Sequence, residues 1–546
     1  MVCDGSGDVA VSAALEETLE WALGRVATPF QVGNRDGRPQ VLEVDGKTVD
    51  GSAGPRPSEG VSRSSVAFVP ATRLEHLGDP SFLADHGIRL PYVSGAMANG
   101  IASVQIVEAM SRAGMLGFFG AAGLALERVE SAINGVRQRL GPTGSHGFNL
   151  IHSPSEPELE AAVADLYLRR GVRLVEASAY LDLTLPLVRY RLSGLRKVDG
   201  RIEPANRVMA KVSRVEVASK FLSPAPARFV AELVARGELT EEQAVWSEQV
   251  PMADDLTAEA DSGGHTDNQP AVVLLPTLIA LRDRLAREKP GRQPWVRVGA
   301  AGGIATPWSA AAAFAMGAAY IVGGSVHQSC VEAGTSETVR GLLCQARQGD
   351  VAMAPAADMF EMGVRVQVLK RGTMFPMRAS KLYELYRTHA SIEDIPPSER
   401  ASLEKSIFRA SLDEVWSQTR AFFMQRDPSQ LDRAASDPKH KMALIFRWYL
   451  GLSSTWANRG EPDRVLDYQI WCGPAMAAFN EWVKGSFLEG PRQRHVATVA
   501  LNLLYGAAVL GRARFLTSQG FTLPPGCPRL SPLDPLEIHQ RLDGAR

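Results

Sequence analysis

The sequence has little of what marks several protein classes. Its five cysteines, Cys3, Cys330, Cys344, Cys472 and Cys527, are odd in number and scattered, with no CxxC pair and no metal-ligand spacing. That argues against a disulfide framework and a zinc site and leaves reduced thiols as the expectation. Neither charge sign is in excess: 59 Lys and Arg face 60 Asp and Glu, a formal charge of −1. Nucleic-acid binders normally carry a basic surplus or stripe, so that class is set aside. No unbroken apolar run is long enough to span a bilayer. The N-terminal MVCDGSGDVAVSAALEE lacks the basic region and apolar stretch of a secretory leader. No membrane span and a cytoplasmic location are therefore expected. No GxGxxG follows a candidate strand, which argues against a resident dinucleotide domain.

What is present is a chain of 546 residues, long enough for two or three units. Residues 1–50 hold one amphipathic helical stretch, SAALEETLEWALGRV, and a turn-rich part ending in VLEVDGKTVD; GSAGPRPSEGVSRSS (51–65) reads as a flexible linker. Short apolar runs then alternate with helical segments, the pattern of repeated βα units. Eight candidate strands follow: PYVSGAM from Pro91, MLGFFGAAG from Met115, HGFNLI from His146, LVEASAY from Leu174, RVMAKVS from Arg207, DLTAEADSGG from Asp255, WVRVGAAGG from Trp295 and AYIVGGSV from Ala319. Several end in small residues. Eight such units predict a closed (β/α)8 TIM barrel, an α/β fold with its strands between about Pro91 and Cys330, and 66–375 are assigned to this domain. A helical insert at about 224–252, including LTEEQAVWSEQVPMA, reads equally as a lid over the barrel mouth or as a packing helix pair. From 376 to 546 apolar residues recur at helical spacing, predicting a helical C-terminal extension in which Trp416, Phe422, Phe446 and Trp448 are read as core.

Three strings carry chemistry. In VRVGAAGGIATPWSAAAAFAMGAAYIVGGS (296–325) one strand runs into Gly302 and Gly303, and the next ends in Gly323, Gly324 and Ser325. Glycines let backbone N–H groups approach an anion, and loops after strands seven and eight of barrels commonly hold phosphate. The alternative is a pair of tight turns. In AEADSGGHTDNQP (258–270), Gly263 and Gly264 put bare backbone at the mouth and His265 follows at once, functional on this reading and structural on the other. SGAMANG (94–100) surrounds Met97 with small residues, leaving either a slot for a flat ring or a simple turn.

Together with VSGAMANGIAS, GFNLIHSP, MAKVSRVEVASKF, TAEADSGGHTDN and CVEAGTSE, these strings resemble the PfaD-type enoyl reductases of polyunsaturated fatty acid synthases and trans-acting polyketide synthases, within the nitronate monooxygenase-like superfamily. The resemblance covers most of the chain beyond the first 50 or so residues. It implies FMN as cofactor and NADPH or NADH as co-substrate. Ala96 and Met97 would lie against the isoalloxazine, Asn149 would hydrogen-bond the flavin, and Lys211 would sit near the pyrimidine side of its ring. Gly302, Gly303, Gly323, Gly324 and Ser325 would hold the phosphate, and His265 would lie over the flavin as the catalytic residue. One departure concerns the family's Thr-Gly-Ser-x-Asn, which here reads Gly-Gly-Ser-Val-His, so Gly323 and His327 differ.

The implied reaction is reduction of a 2-enoyl thioester on an acyl-carrier protein, with His265 as carbonyl donor or as the acid toward the α-carbon. A possible homodimer is implied by the resemblance alone. The basic stretch RYRLSGLRKVDGR (189–201) could help dock an acidic carrier protein, although a solvated charged face is the preferred reading. Competing readings are a nitronate monooxygenase-type flavin oxidase, a non-catalytic barrel subunit of a megasynthase, and a barrel with a cysteine nucleophile at Cys330.

Overall fold

The computed structural model describes residues 18–543 apart from 36–37, 45–46, 49–65, 155 and 289–294, so the linker assigned to 51–65 lies outside the described residues. Its centre is a closed barrel of eight strands: β1 (Tyr92–Ser94), β2 (Leu116–Phe119), β3 (Gly147–Ile151), β4 (Leu174–Ser178), β5 (Arg207–Val212), β6 (Asp255–Glu259), β7 (Arg297–Ala301) and β8 (Ile321–Gly323). Each pairs in parallel with the next, and β8 closes onto β1 with Ile321 opposite Tyr92. All eight candidate strands of the sequence are barrel strands, and each is an apolar run because both of its faces are covered.

The barrel's lower end is shut by the helix Pro80–His86. Its His86 Nε2 lies 2.7 Å from Asp255 Oδ2, while Arg297 Nε donates to Asp255 Oδ1 at 2.6 Å. Phe82 stacks on Tyr320 with ring centroids 4.2 Å apart. The outer ring has an unusual closing member. Only the four-residue helix Ser325–Gln328 follows β8 directly. The helix Val496–Ser518 instead packs between Pro307–Ala315, after β7, and Val104–Arg112, after β1, the place a helix after β8 would take. At the crossing a side chain on Gly506 would meet the Pro307 ring at 2.6 Å, so glycine sets the approach. By length and composition this is the one helix among the described residues that could cross a membrane, yet it is buried inside the protein.

The same helix anchors the N-terminal segment. Strands Phe30–Arg35, Arg38–Val44 and Val66–Val69 form an antiparallel sheet with 47–48. Arg512, 2% exposed, donates to the carbonyls of Ala22, Arg25, Val26 and Thr28 at the foot of the preceding helix, residues 18–24.

Beyond β8 the chain does not go straight to helices. Gly264–His265, Arg365–Leu369 and Val351–Pro355 form a small antiparallel sheet on the barrel mouth, where the segment after β6 meets the polypeptide 100 residues later. Residues 470–472 run beside it, with Leu369 N–H donating to Ile470 O at 2.8 Å and Cys472 N–H to Gln367 O at 3.3 Å. The helices Leu412–Arg426 and Pro438–Arg459 pack above this sheet around a second core that includes Phe360, Phe375, Phe408, Phe446 and Tyr449. Within the insert, Ala227–Ala235 and Glu241–Ser247 are a packing pair against the barrel's outer face, and none of residues 224–252 reaches the mouth cavity.

Candidate active site

A cavity of about 1030 Å³ opens at the C-terminal ends of the strands, under the roof formed by the two upper helices. Barrels of this kind carry their sites at that end, and the volume lies at the top of the range of about 300–1,000 Å³ usual for ligand pockets. Ala96, Met97, Asn149, Lys211, Gly263, Gly264, His265, Gly302, Gly303, Gly323, Gly324 and Ser325 all line it.

One wall is electrostatic. Behind the lining, Glu176 points inward from β4 and is fully buried; its Oε2 accepts from the Ala96 N–H at 2.9 Å, while Oε1 has no partner among the described residues. Burial pushes its pKa up to about 7, against the opposing effects of Lys211 and the Ala96 N–H. Lys211, from β5, places Nζ 2.9 Å from Glu259 Oε1 of β6. Burial alone would lower the lysine's pKa, but the Glu259 and Glu176 carboxylates overcome it and hold the ammonium above its ordinary range. Asn149 donates from Nδ2 to Glu176 O at 3.0 Å and Ser178 Oγ at 3.1 Å, which fixes its amide at the cavity edge.

A second wall is bare backbone. None of the main-chain N–H groups of Gly302, Gly303, Ile304, Gly324 and Ser325 donates a hydrogen bond among the described residues. Gly302 and Gly303 have φ of 80° and 75°, a left-handed conformation that favours glycine. A Cβ on Gly302 would meet the Ala260 carbonyl at 2.6 Å, whereas nothing lies within 4 Å of a Cβ on Gly303 or Gly324. The departures at Gly323 and His327 explain each other. A side chain at 323 would collide with the Tyr92 hydroxyl and the His327 ring. His327, fully buried, lies 3.0 Å from Tyr92 OH and 2.8 Å from Ser94 Oγ, and burial pushes its pKa down to about 3, so it serves as a neutral strut. Gly263 faces elsewhere: a Cβ there would meet Cys472 backbone at 2.9 Å, so this glycine seats the 472–473 segment, whose Gly473 N–H donates to Ser325 Oγ at 3.4 Å.

The third wall holds the titratable groups. His265 Nε2 lies 3.2 Å from Asp358 Oδ1, and the imidazole is one-third exposed. Burial alone would lower the His265 pKa, but the bond to Asp358 and its charge raise it overall. Asp358 is held below the usual carboxylate range: burial raises it, and His265 more than offsets that. Near the end of β3, His152 Nδ1 lies 3.3 Å from Glu160 Oε2 and stacks on Tyr180, whose hydroxyl donates to Glu160 Oε1 at 3.1 Å.

Sequence reasoning missed Glu176, Glu259, Asp358, His152, Arg447 and Trp471. Glu176 and Glu259 carried a signal, a carboxylate inside an apolar strand. The others come from loops or from remote chain and had none. Of the aromatic residues read as core, Phe446 is fully buried, but Phe422 and Trp448 line the cavity. The basic stretch is not simply a solvated face. Arg191 is fully buried and grips Asp254 through two bonds, of 2.6 and 3.1 Å, and Arg189 pairs with Asp165 and Glu238. Cys330 is buried, with its thiol pushed well above its ordinary range by burial, the state of an inert thiol.

An eight-stranded parallel barrel with a glycine-walled mouth and a helical roof defines the class. Residues 389–468 match the family described as (acyl-carrier-protein) S-malonyltransferase, inserted helical domain. The chain is 49% identical over 464 residues to a polyunsaturated fatty acid synthase subunit of Thraustochytrium sp. (strain ATCC 26185 / S-3), covering 84% of this chain and 31% of that one. It is 46% identical over 437 residues to the polyketide biosynthesis protein PksE of Bacillus subtilis (strain 168), covering 80% of this chain and 56% of that one. It thus spans less than two thirds of either relative. The crystal structure of the enoyl reductase domain of MlnA, from the macrolactin biosynthesis cluster of Bacillus amyloliquefaciens, superimposes with a TM-score of 0.77 at 39% identity, covering 81% of this chain and all of that domain. The chain belongs to the family of that enoyl reductase domain, the PfaD-type family of polyunsaturated fatty acid and polyketide synthases, and so to an oxidoreductase family.

Proposed function

We propose that this chain is an enoyl reductase that uses FMN, with NADPH or NADH as co-substrate, to reduce 2-enoyl thioesters presented by the acyl-carrier proteins of a fatty acid or polyketide megasynthase. The observation that carries the reading is the run of unpaired N–H groups at Gly302–Ile304 and Gly324–Ser325, in the same cavity as the Lys211–Glu259 pair and His265. Donors without acceptors, beside two glycines whose missing side chains leave open space, fit a phosphate dianion. FMN, when bound, supplies hydride transfer between a nicotinamide and the β-carbon of an enoyl thioester.

The chain's own residues supply the rest. Gly302, Gly303, Gly324 and Ser325 would hold the phosphate, Ala96 and Met97 would face the ring, and the Asn149 amide would orient it. Lys211 sets a fixed positive charge in a water-poor wall, which stabilises negative charge developing nearby. His265, whose protonated form Asp358 favours, can donate a hydrogen bond to the thioester carbonyl or deliver a proton to the α-carbon. Phe422, Trp448 and Leu444 give the roof an apolar underside against which an acyl chain or ring can pack.

The test is an absorbance spectrum of the purified protein. Flavin bands that bleach anaerobically with NADPH and return on adding a crotonyl thioester support the reading. Absence of flavin after reconstitution with FMN would sink it, and bleaching reversed only by oxygen would move the assignment to a monooxygenase.

A further inference from the structure

Among the described residues the carboxylates that line the cavity are all engaged, and two lining cations are not: Arg365, exposed on the small sheet, and Arg447, half-buried in the roof. Glu156 accepts two bonds from Arg426, at 2.5 and 2.9 Å. Glu259 pairs with Lys211, Asp267 with Arg214 at 2.8 Å, Asp358 with His265, and Glu160 with His152. Arg447, half-buried on the helix Pro438–Arg459, makes no hydrogen bond or ion pair among the described residues. The carboxylates whose charge reaches it are Glu361, Glu156 and Asp358. Glu361 is itself held by His440 at 2.8 Å and Arg433 at 3.2 Å, and the other two by the partners just named. Burial holds the Arg447 pKa below its ordinary value, outweighing the charges of Glu361, Glu156 and Asp358, none of which is bonded to it.

Its placement is specific. Leu444, Arg447, Trp448, Gly451, Leu452 and Thr455 recur at helical spacing and all line the cavity, so one face of this helix is its roof. Seven residues further on, Ser454 accepts from Asn99 Nδ2 at 2.8 Å, which pins the helix to the β1 loop beside Met97. At 1.5 Å per residue, Arg447 sits about 10 Å along the helix from that pin. The pin is made to the β1 loop, whereas the glycine cradle belongs to the β7 and β8 loops. Arg447 also belongs to the residues that match the inserted helical domain of the S-malonyltransferase family.

We propose that Arg447 is a second anion subsite of the cavity, separate from the glycine cradle, that takes the phosphate ester of an entering ligand. A guanidinium with free donors in a partly desolvated wall recognises phosphate by paired, charge-assisted bonds. The phosphate belongs to either of two sources, a phosphopantetheine arm or a nicotinamide dinucleotide. The choice of these ligands rests on the enoyl reductase reading; the subsite itself rests on the place of Arg447 in the roof and on its making no hydrogen bond or ion pair among the described residues.

The experiment compares wild-type holoprotein with Arg447→Gln and Arg447→Lys. Tryptophan fluorescence, with Trp448 and Trp471 in the cavity wall, is titrated with pantetheine 4′-phosphate and with adenosine 2′,5′-bisphosphate. This reads the subsite without turnover, so it stands even if the reductase reading fails. Arg447→Gln weakens one of these ligands about tenfold or more and Arg447→Lys recovers part of the loss. Turnover then assigns the source. A carrier arm raises the KM of crotonyl-phosphopantetheine but not that of crotonyl-pantetheine, with kcat unchanged. A dinucleotide raises the KM of NADPH instead. Melting temperature stays the same or rises in Arg447→Gln, because a partly buried cation with no bonded partner is removed. Unchanged binding of both phosphate ligands, or a lowered melting temperature in Arg447→Gln, overturns the proposal.

Discussion

His265 and Asp358 meet at 3.2 Å across the barrel mouth, although 93 residues separate them in sequence. The small sheet makes this possible: Gly264–His265 pairs with Arg365–Leu369, and the loop before that strand brings Asp358 over the imidazole. The carboxylate is pushed down by the imidazole and the imidazole up by the carboxylate, so each favours the charged form of the other. A raised histidine pKa means the charged form is present at low pH and lost as pH rises through that value. If protonated His265 acts on the substrate, kcat falls on the alkaline side, above the ordinary histidine value. Asp358→Asn moves that fall to lower pH. His265→Gln lowers kcat by about 10²–10⁴-fold and leaves anaerobic bleaching by NADPH intact. A His265→Gln enzyme with normal thioester turnover would remove His265 from the mechanism.

Glu176 gives a prediction of the same sign for stability. Its carboxyl is raised to about 7 by burial, from 4.5 in the unfolded chain. Between those values the folded protein binds a proton that the unfolded chain releases, so stability falls as pH rises through this window. Above pH 7 the cost is on the order of 3 kcal/mol at 1.36 kcal/mol per unit. Glu176→Gln removes the titration and keeps one acceptor for the Ala96 N–H. Urea unfolding at pH 5 and pH 8, with and without this substitution, reads the difference: wild type loses more stability than the variant. Equal losses would show that Lys211 already neutralises the carboxylate.

The glycines separate by mechanism. Gly302→Ala forces a Cβ into the Ala260 carbonyl at a φ of 80°, a cost of roughly 1–3 kcal/mol in stability. Gly324→Ala meets nothing within 4 Å and leaves stability unchanged, but its methyl stands in the open cradle. FMN retention on desalting is expected to drop about tenfold or more in Gly324→Ala. A Gly324→Ala protein that keeps FMN as wild type does would place the phosphate elsewhere.

These contrasts show where sequence was informative. The barrel was legible because each strand is an apolar run closed by small residues, and strand position in a barrel determines where its C-terminal end points. The resemblance strings supplied Lys211 and His265 for the same reason, since both sit at strand ends. The roof was not legible. Phe422 and Trp448 lie on helices whose buried faces read as ordinary core, and only the fold shows that part of those faces covers a cavity. Val496–Ser518 was equally opaque: its apolar length says that it is buried, not that it completes a ring begun 400 residues earlier.

That ring closure has a consequence at Arg512. Its guanidinium accounts for four carbonyls, of Ala22, Arg25, Val26 and Thr28, while Nε has no partner among the described residues and burial lowers its pKa to about 10. The four carbonyls lie where the helix 18–24 gives way to the first strand of the N-terminal sheet, and helix ends leave such groups unsatisfied. Arg512→Met keeps much of the side chain's volume but strands these acceptors, a loss of about 3–5 kcal/mol for a buried charged partner. The damage is local, because Arg512 bonds to residues 22–28 and lies over Phe30, and is not among the residues that line the mouth cavity. Limited proteolysis should therefore cut Arg512→Met within residues 18–44 at protease levels that spare wild type, while FMN content stays the same. Joint loss of FMN and the N-terminal segment would mean that the segment and the barrel fold as one cooperative unit.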